Sequence, residues 1–363
     1  MKLKWLKLQH FRNYENLELT LNEGVTALVG LNAQGKTNLL ESIAFLALGK
    51  SFRAPRSLDA LKWDRPHGRI KAGIERKGKL TELEVFMQRD PELKKIKKQS
   101  RLTKPKNFLG SFRVVLFTPD QLELISGSPQ ARRQFLDRLL IQVDYEYTEA
   151  LGNYHKILNH RNALLKSIWA RKSEEWELDI WDARLATEAR KIWEKRSDFF
   201  NFLNGSLAEQ YQKLAGAEEI LSLESLTHQD RYEERLLAHR GSDIQSGSTS
   251  VGPHRDDFTL SLHSPKVRIK RELAESGSQG EKRSAVLVLK MAELLFIENK
   301  TGEKPILLLD DVFSELDLNR QKKLIDLIRP YQSILTTTSL EHLESLKNLT
   351  VYNISQGEIQ HCT

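Results

Sequence analysis

The sequence predicts an α/β fold divided along the chain, with residues 1–122 and 245–363 forming one lobe and a largely helical second lobe inserted at 123–244. Three observations predict it. Strand-like runs surround a single helical pattern in the first third, helical spacing dominates the middle, and strand and helix patterns return after a polar break at 242–250.

In the first third, Leu17, Leu19 and Leu21 alternate with polar residues, the period of a half-buried strand. Ile70, Ala72 and Ile74, then Leu83, Val85 and Met87, keep that period on either side of Lys77-Gly78-Lys79, which predicts a hairpin. Residues 25–29 are apolar without alternation, as in a strand covered on both faces. Apolar residues at 39, 40, 43, 44 and 47 give a helical spacing closed by Gly49. Lys94, Lys95, Lys97, Lys98, Arg101, Lys104 and Lys106 crowd a stretch with few apolar anchors, which reads as a solvated, mobile loop or a DNA-contacting one. In the insert, Leu178, Trp181, Leu185, Ala189 and Ile192 make one apolar stripe on a charged helix. Its heptads are too broken for a long coiled-coil arm.

Composition narrows the class. The 363 residues are 39% hydrophobic and 29% charged, and no stretch approaches the ~18 apolar residues of a membrane span. The N-terminus shows no signal-peptide pattern. The single cysteine, Cys362, excludes a disulfide framework within one chain. A cytoplasmic protein without a membrane partner is expected. The net charge of +7 permits binding to phosphate backbones without requiring it.

Gly30-Leu31-Asn32-Ala33-Gln34-Gly35-Lys36-Thr37 fits Gly-x-x-x-x-Gly-Lys-Ser/Thr, with an apolar strand before it and an amphipathic helix after it. Glycines let backbone N–H groups face phosphate oxygens, and the helix N-terminus adds its positive dipole end. Lys36 is placed to reach the terminal phosphates of ATP, and the Thr37 hydroxyl to ligate Mg²⁺. The uncharged run 306–309 ends in Asp310 and Asp311. A carboxylate at the end of such a strand lies near the metal, so Asp310 is expected to act on Mg²⁺ and Asp311 to polarise the attacking water. Asp311 is one methylene shorter than glutamate, which predicts slow turnover. Ser278-Gln279-Gly280-Glu281 precedes an apolar helix, and Ser314-Glu315-Leu316-Asp317 follows the Asp310 strand. Alone each reads as a helix cap. In this order they match the signature and D-loop of ABC-type ATPases, and a P-loop NTPase of ABC/SMC head type follows as the fold. Such a site closes only when Ser278, Gly280 and Glu281 arrive from a second copy.

The chain resembles the bacterial RecF family. Phe11-Arg12-Asn13-Tyr14, Phe117-Thr118-Pro119-Asp120, Gly127-Ser128-Pro129, Arg132-Arg133-Gln134-Phe135-Leu136-Asp137 and Gly252-Pro253-His254-Arg255-Asp256-Asp257 look like its blocks. Asp310-Asp311-Val312-Phe313-Ser314-Glu315-Leu316-Asp317 is similar to its Walker B and D-loop. The resemblance implies an SMC-like head, ATP-dependent homodimerisation and weak DNA-stimulated ATPase activity. It also implies binding to single-stranded and gapped or junction DNA, with RecO and RecR as partners and RecA loading in repair, replication and the SOS response as the outcome. It places Arg12 and Asn13 near the nucleotide. Departures are visible. Gly277-Ser278-Gln279-Gly280-Glu281 stands for Leu-Ser-Gly-Gly-Gln, and Thr336, Thr337 and Thr338 stand where a switch histidine is expected. Gln121 is a weak candidate for the Q-loop, and His254 and Arg255 read better as structural.

An ABC transporter's nucleotide-binding subunit is the first rival, disfavoured by those departures and by the large insert. An ATP-gated assembly protein without DNA function is the second. The P-loop reading is tested directly: Lys36→Met is expected to abolish ATP binding and, with it, ATP-dependent dimerisation by light scattering, and an unchanged dimer refutes the site.

Overall fold

The computed structural model describes residues 1–215, 219–227, 229–264, 269–341, 343, 346 and 349–362. Contacts divide the chain into two units, Met1–Gln121 with Glu293–Thr363, and Leu122–Ala292. The second unit runs on past the polar stretch at 242–250, where the sequence predicts a break. That stretch is largely a helix, Arg240–Ser246. It is retained because its polar groups find partners inside the unit. Asp243 is fully buried against Arg161, and Thr249 donates to Asn162 Oδ1 at 2.7 Å.

The first unit holds two six-stranded sheets. One is antiparallel, in the order 14–20, 2–11, 67–76, 79–88, 93–98, 101–102. Its central hairpin is the one expected, His67–Arg76 against Lys79–Gln88, turning on Lys77 (φ 48°) and Gly78 (φ 74°) as a two-residue hairpin loop demands. The basic stretch is not a loop. Leu93–Lys98 extends the sheet, Arg101–Leu102 forms its edge, and Pro105–Phe108 is a helical turn. Ile96 packs on the core while the lysine stems alternate faces, so one apolar anchor suffices.

The other sheet runs 358–362, 349–355, 25–29, 333–337, 306–310, 114–117, parallel except for the final hairpin. Its central strands are apolar on both faces, as a covered parallel sheet requires. The helix Lys36–Leu48 packs on strands of both sheets. Nearly every side chain of that helix is buried, which is why it carries apolar residues almost all round instead of one stripe. Gly49 (φ 70°) ends it by returning its N–H to the Phe45 carbonyl.

The second unit contains the long helices Tyr145–Trp169 and Leu178–Asn204, packed together. It also holds an antiparallel sheet of Ile220–Leu226, Asp257–Ser264 and Ile269–Glu272. Its interior is stitched by arginines. Arg161 reaches Asp182 at 2.6 Å and Asp243 and Thr249 at 2.8 Å. Arg196 reaches Asp256 at 2.6 Å, Asp137 at 2.9 Å and the Pro253 carbonyl at 2.8 Å. His254 sits between the Tyr154 hydroxyl (2.7 Å) and the Thr249 carbonyl (3.0 Å), and burial pushes its imidazole down to about 4. A structural role for His254 agrees with these contacts, and Arg255 donates to the same Thr249 carbonyl at 3.3 Å. Removing one member of a buried ion pair strands the other charge. Arg161→Ala is therefore expected to destabilise the chain by about 3–5 kcal/mol in urea unfolding, with Arg161→Lys recovering only part.

Candidate functional site

The P-loop threonine and the strand-end aspartate marked by the sequence meet at the carboxyl ends of the parallel strands. Thr37, in the first turn of its helix, donates from Oγ1 to Asp310 Oδ1 at 2.8 Å. Asp310 ends the Ile306–Asp310 strand, and Thr336 lies beside it in the parallel ladder. The Thr336 hydroxyl also donates to Asp310 Oδ1, at 2.8 Å, and accepts from the Asp311 N–H at 2.9 Å. One carboxylate oxygen is thus fixed by two threonines. Burial raises the Asp310 carboxyl above its ordinary value, and the Thr37 and Thr336 hydrogen bonds oppose that shift.

The loop Gly30–Thr37 is shaped by close backbone approach. A Cβ on Gly30 would lie 2.3 Å from the Ile354 carbonyl oxygen. Gly35 has φ 113°, and a Cβ there would meet Asn13 Nδ2 at 2.5 Å. Ala33 also adopts positive φ, 64°. Lys36 is nearly buried and donates from Nζ to the carbonyls of Gly30 (2.5 Å) and Leu31 (2.9 Å). Burial lowers its ammonium below the usual lysine range, with Asp311 and Asp310 acting the other way. Gln34 anchors the loop by accepting from the Gln356 N–H through Oε1 at 2.7 Å and from the Gly357 N–H through its carbonyl at 3.0 Å.

The Phe11-Arg12-Asn13-Tyr14 block serves the loop through its backbone and through the helix behind it. Asn13 donates to the Gln34 carbonyl at 3.1 Å, and Tyr14 to the Gly35 carbonyl at 3.0 Å. Arg12 forms a two-pronged bond to Glu41 at 2.9 and 2.7 Å. Glu41 is fully buried one turn beyond Thr37 and accepts from Ser51 as well. Arg53, half exposed, donates to Asn38 at 2.9 Å and lies 3.7 Å from Glu41, and its charge acts on Asp310. The sequence marks Thr336 only as one of three threonines where a switch histidine is expected, and it marks neither Glu41 nor Arg53. A glutamate inside an apolar helix pattern is the available signal for Glu41; nothing local marks Arg53.

These groups fit a magnesium nucleotide. Thr37 and Asp310 offer hard oxygens 2.8 Å apart, close to the ~2.9 Å between adjacent corners of an octahedron with ~2.1 Å bonds. The helix start has no side-chain cap and no acidic residue in its first turn, so nothing of the chain's own competes for an anion there. Among the described residues no group of three or more His, Cys, Asp or Glu is arranged to hold a metal by itself. A magnesium ion bound through two protein oxygens, with phosphate and water completing its shell, accords with that.

Asp311 sits in the left-handed region (φ 49°), and its carbonyl accepts from Ser314 Oγ at 2.7 Å. Asp317 caps the Leu318–Ile328 helix, accepting from the N–H groups of Asn319 and Arg320 at 3.1 and 3.0 Å. The Glu315 side chain lies outside the described residues. In the second unit, Ser278 and Glu281 form a reciprocal cap: the Ser278 N–H donates to Glu281 Oε2 at 2.7 Å, and the Glu281 N–H to Ser278 Oγ at 3.3 Å. Arg271 pairs with Glu281 and holds its carboxyl down at about 2. Gln121 donates to the Leu116 carbonyl. Thr337 turns to the Ser339 carbonyl at 2.7 Å, and Thr338 is exposed, so only Thr336 of the three faces the carboxylate.

A family model described as RecF/RecN/SMC N terminal domain matches residues 2–360. The DNA replication and repair protein RecF of Geotalea uraniireducens (strain Rf4) is 37% identical over 376 residues, covering 99% of this chain and 100% of that one. RecF of Streptococcus gordonii (strain Challis) is 37% identical over 373 residues at 99% and 100% coverage. Among solved structures, the recombination mediator protein RecF-ATP in the RecFOR pathway aligns with TM-score 0.88 and 32% identity, covering 99% of both chains. An Smc head domain from Pyrococcus furiosus, 18% identical with TM-score 0.56 over 99% of this chain and 95% of that one, shares the fold.

Thr336→Val is expected to destabilise the chain by about 1–3 kcal/mol in urea unfolding, because the Asp311 N–H loses its acceptor inside the site. Thr338→Val, at an exposed position, is expected to change it by less than about 0.5 kcal/mol.

Proposed function

The chain belongs to the RecF branch of the RecF/RecN/SMC family, and from that premise we propose that it is an ATP-operated DNA-binding ATPase of replication and recombinational repair. The observation that carries the reading is the Thr37–Asp310 bond. It joins the P-loop to the strand-end carboxylate in the geometry that a magnesium nucleotide uses. Backbone N–H groups of Gly30, Leu31, Asn32, Ala33, Gln34 and Gly35, with Lys36, hold the phosphates of ATP. Thr37 and Asp310 would hold Mg²⁺, which when bound would supply charge neutralisation for phosphoryl transfer. Asp311 orients the attacking water. Its short side chain supports slow turnover, which DNA stimulates. Arg12 and Asn13 act on the nucleotide through Glu41 and the Gln34 carbonyl, positioning the loop rather than touching the ligand.

The second half of the site comes from another copy. Ser278, Gly280 and Glu281 open a 23-residue helix, whose N-terminus suits a phosphate held by the partner. Ser314 and Asp317 lie on the segment following Asp311 and meet that partner. Two heads closing over two ATP molecules clamp DNA at gaps and single-strand/double-strand junctions, and hydrolysis releases it. The solved RecF of the RecFOR pathway supports RecO and RecR as partners, with RecA loading in the cytoplasm as the outcome.

Light scattering with ATP, Mg²⁺ and a gapped duplex tests the clamp. The wild type is expected to dimerise and to bind the duplex only with ATP. Ser278→Arg is expected to keep ATP affinity within about twofold (~0.4 kcal/mol) yet stay monomeric. Indifference to DNA at every salt concentration sinks the DNA reading. Lost ATP affinity in the Ser278→Arg monomer sinks the shared site.

A further inference from the structure

The fold sorts the basic stretch at 94–106 into cations that hold the structure and cations that do not. Lys94 donates from Nζ to the Gly49 carbonyl at 3.0 Å, at the C-terminal end of the P-loop helix. Lys98 donates to Ser111 Oγ at 2.9 Å, and Lys97 pairs with Glu84 at 3.0 Å. Lys95, Arg101 and Lys104 are different. All three are exposed, and among the described residues their side chains make no ion pair or hydrogen bond.

Register brings them to one edge of the sheet, with Lys95 and Lys104 rooted on one face and Arg101, opposite Lys98, on the other. Lys97 pairs with Leu102 and Lys98 with Arg101 across the last turn. The Thr103 N–H donates to the Ile96 carbonyl at 3.0 Å, which carries the next residue, Lys104, alongside Lys95. Arg101 stands three residues along the same edge, about 10 Å of extended chain, so its stem must reach round the edge from the opposite face to join the other two. At that end of the sheet the hairpin turn adds Lys77 and Lys79, also exposed and, among the described residues, without an ion pair or side-chain hydrogen bond. The Gln99 side chain, bonded to the Leu80 carbonyl at 2.9 Å, ties the two turns together. Residues 93–107 contain no acid.

We propose that this edge is a rail for the phosphate backbone of duplex DNA, with Lys95, Arg101 and Lys104 along it and Lys77 and Lys79 at its end. The inference rests on the DNA-binding reading above and gives it a surface. A ~10 Å row of cations spans about three phosphates of one strand, which are spaced ~3.4 Å along the helix axis. Long flexible stems on an open edge suit contacts that follow a backbone and ignore base edges. Lysines on an edge strand also discourage edge-to-edge pairing with other chains, and the experiment separates that role.

Duplex binding by the full chain, with ATP and Mg²⁺, is measured across a salt series for wild type and for the triple variant Lys95→Gln, Arg101→Gln, Lys104→Gln. Each lost phosphate contact lowers the slope of log affinity against log salt by about 0.9, so the slope is expected to fall by about 2.7. The wild type's advantage at 50 mM salt then shrinks about 40-fold by 200 mM. DNA-free ATPase activity and the thermal midpoint are expected to hold, and Lys213→Gln, on the Leu207–Ala215 helix, to leave the slope unchanged. Should the triple variant lose its thermal midpoint, Lys77→Gln with Lys79→Gln reads the same slope, lowered by about 1.8. A wild type that binds duplex while the variants keep its slope overturns the rail. Self-association of the variant with an unchanged slope overturns it too, in favour of edge protection. A wild type that binds no duplex fails the reading under Proposed function instead.

Discussion

The hydrogen bond from Thr37 to Asp310 joins residues 273 positions apart, and most of the first unit can be understood as what is needed to make it. Thr37 must start a helix whose axis ends at the sheet's carboxyl edge, and Asp310 must end a strand one place removed from the P-loop strand. The Ser333–Thr337 strand between them supplies Thr336, which locks the shared carboxylate oxygen from the other side. Parallel strands bring their carboxyl ends to one edge, so loop, carboxylate and locking hydroxyl converge there without any long excursion of the chain.

Burying the P-loop helix between two sheets gives that edge its rigidity and creates a charge problem. Glu41 is fully enclosed, and an isolated carboxylate there would be severely destabilising. Arg12, from the turn after the first strand, and Ser51, from beyond the helix, neutralise and bond it. The same ion pair therefore ties the antiparallel sheet's first turn to the helix that carries Thr37. The second unit meets the problem in a similar way, with Arg161 and Arg196 each shared among several acceptors. Such pairs add little net stability over apolar packing, but every partner must be present together, which favours a single arrangement. Among the described residues one Asp256 oxygen finds no partner, and burial raises the carboxyl to about 6, while Trp193 and Arg196 share the other oxygen.

The short motifs have two physical lives. Ser278 and Glu281 cap each other at a helix start, and Asp317 caps the helix after the Asp310 strand. Capping and phosphate recognition draw on the same unpaired N–H groups of a helix terminus. A string of Ser, Gly and Glu therefore looks alike in sequence whichever purpose it serves, and only its order relative to the P-loop and Asp310 distinguished it.

The sequence by itself determined the elements whose information is local. Alternation at 17–21 and 70–87, the apolar run at 25–29, the P-loop with its flanking strand and helix, and the carboxylate pair at 310 and 311 each lie within one or two turns of chain, and the strand or helix follows from side-chain period and backbone sterics alone. Tertiary structure decided the rest. The basic stretch reads as a solvated loop until a neighbouring strand offers hydrogen bonds and Ile96 finds the core. The polar stretch at 242–250 reads as a break until the buried charge of Arg161 draws in Asp243 and Thr249. Arg12 stands near the nucleotide by resemblance alone, and the fold joins its guanidinium to Glu41, 29 residues away. In each case the deciding partner is distant in sequence, and a buried charge or open strand edge is satisfied by whatever the fold brings near, which no local pattern encodes.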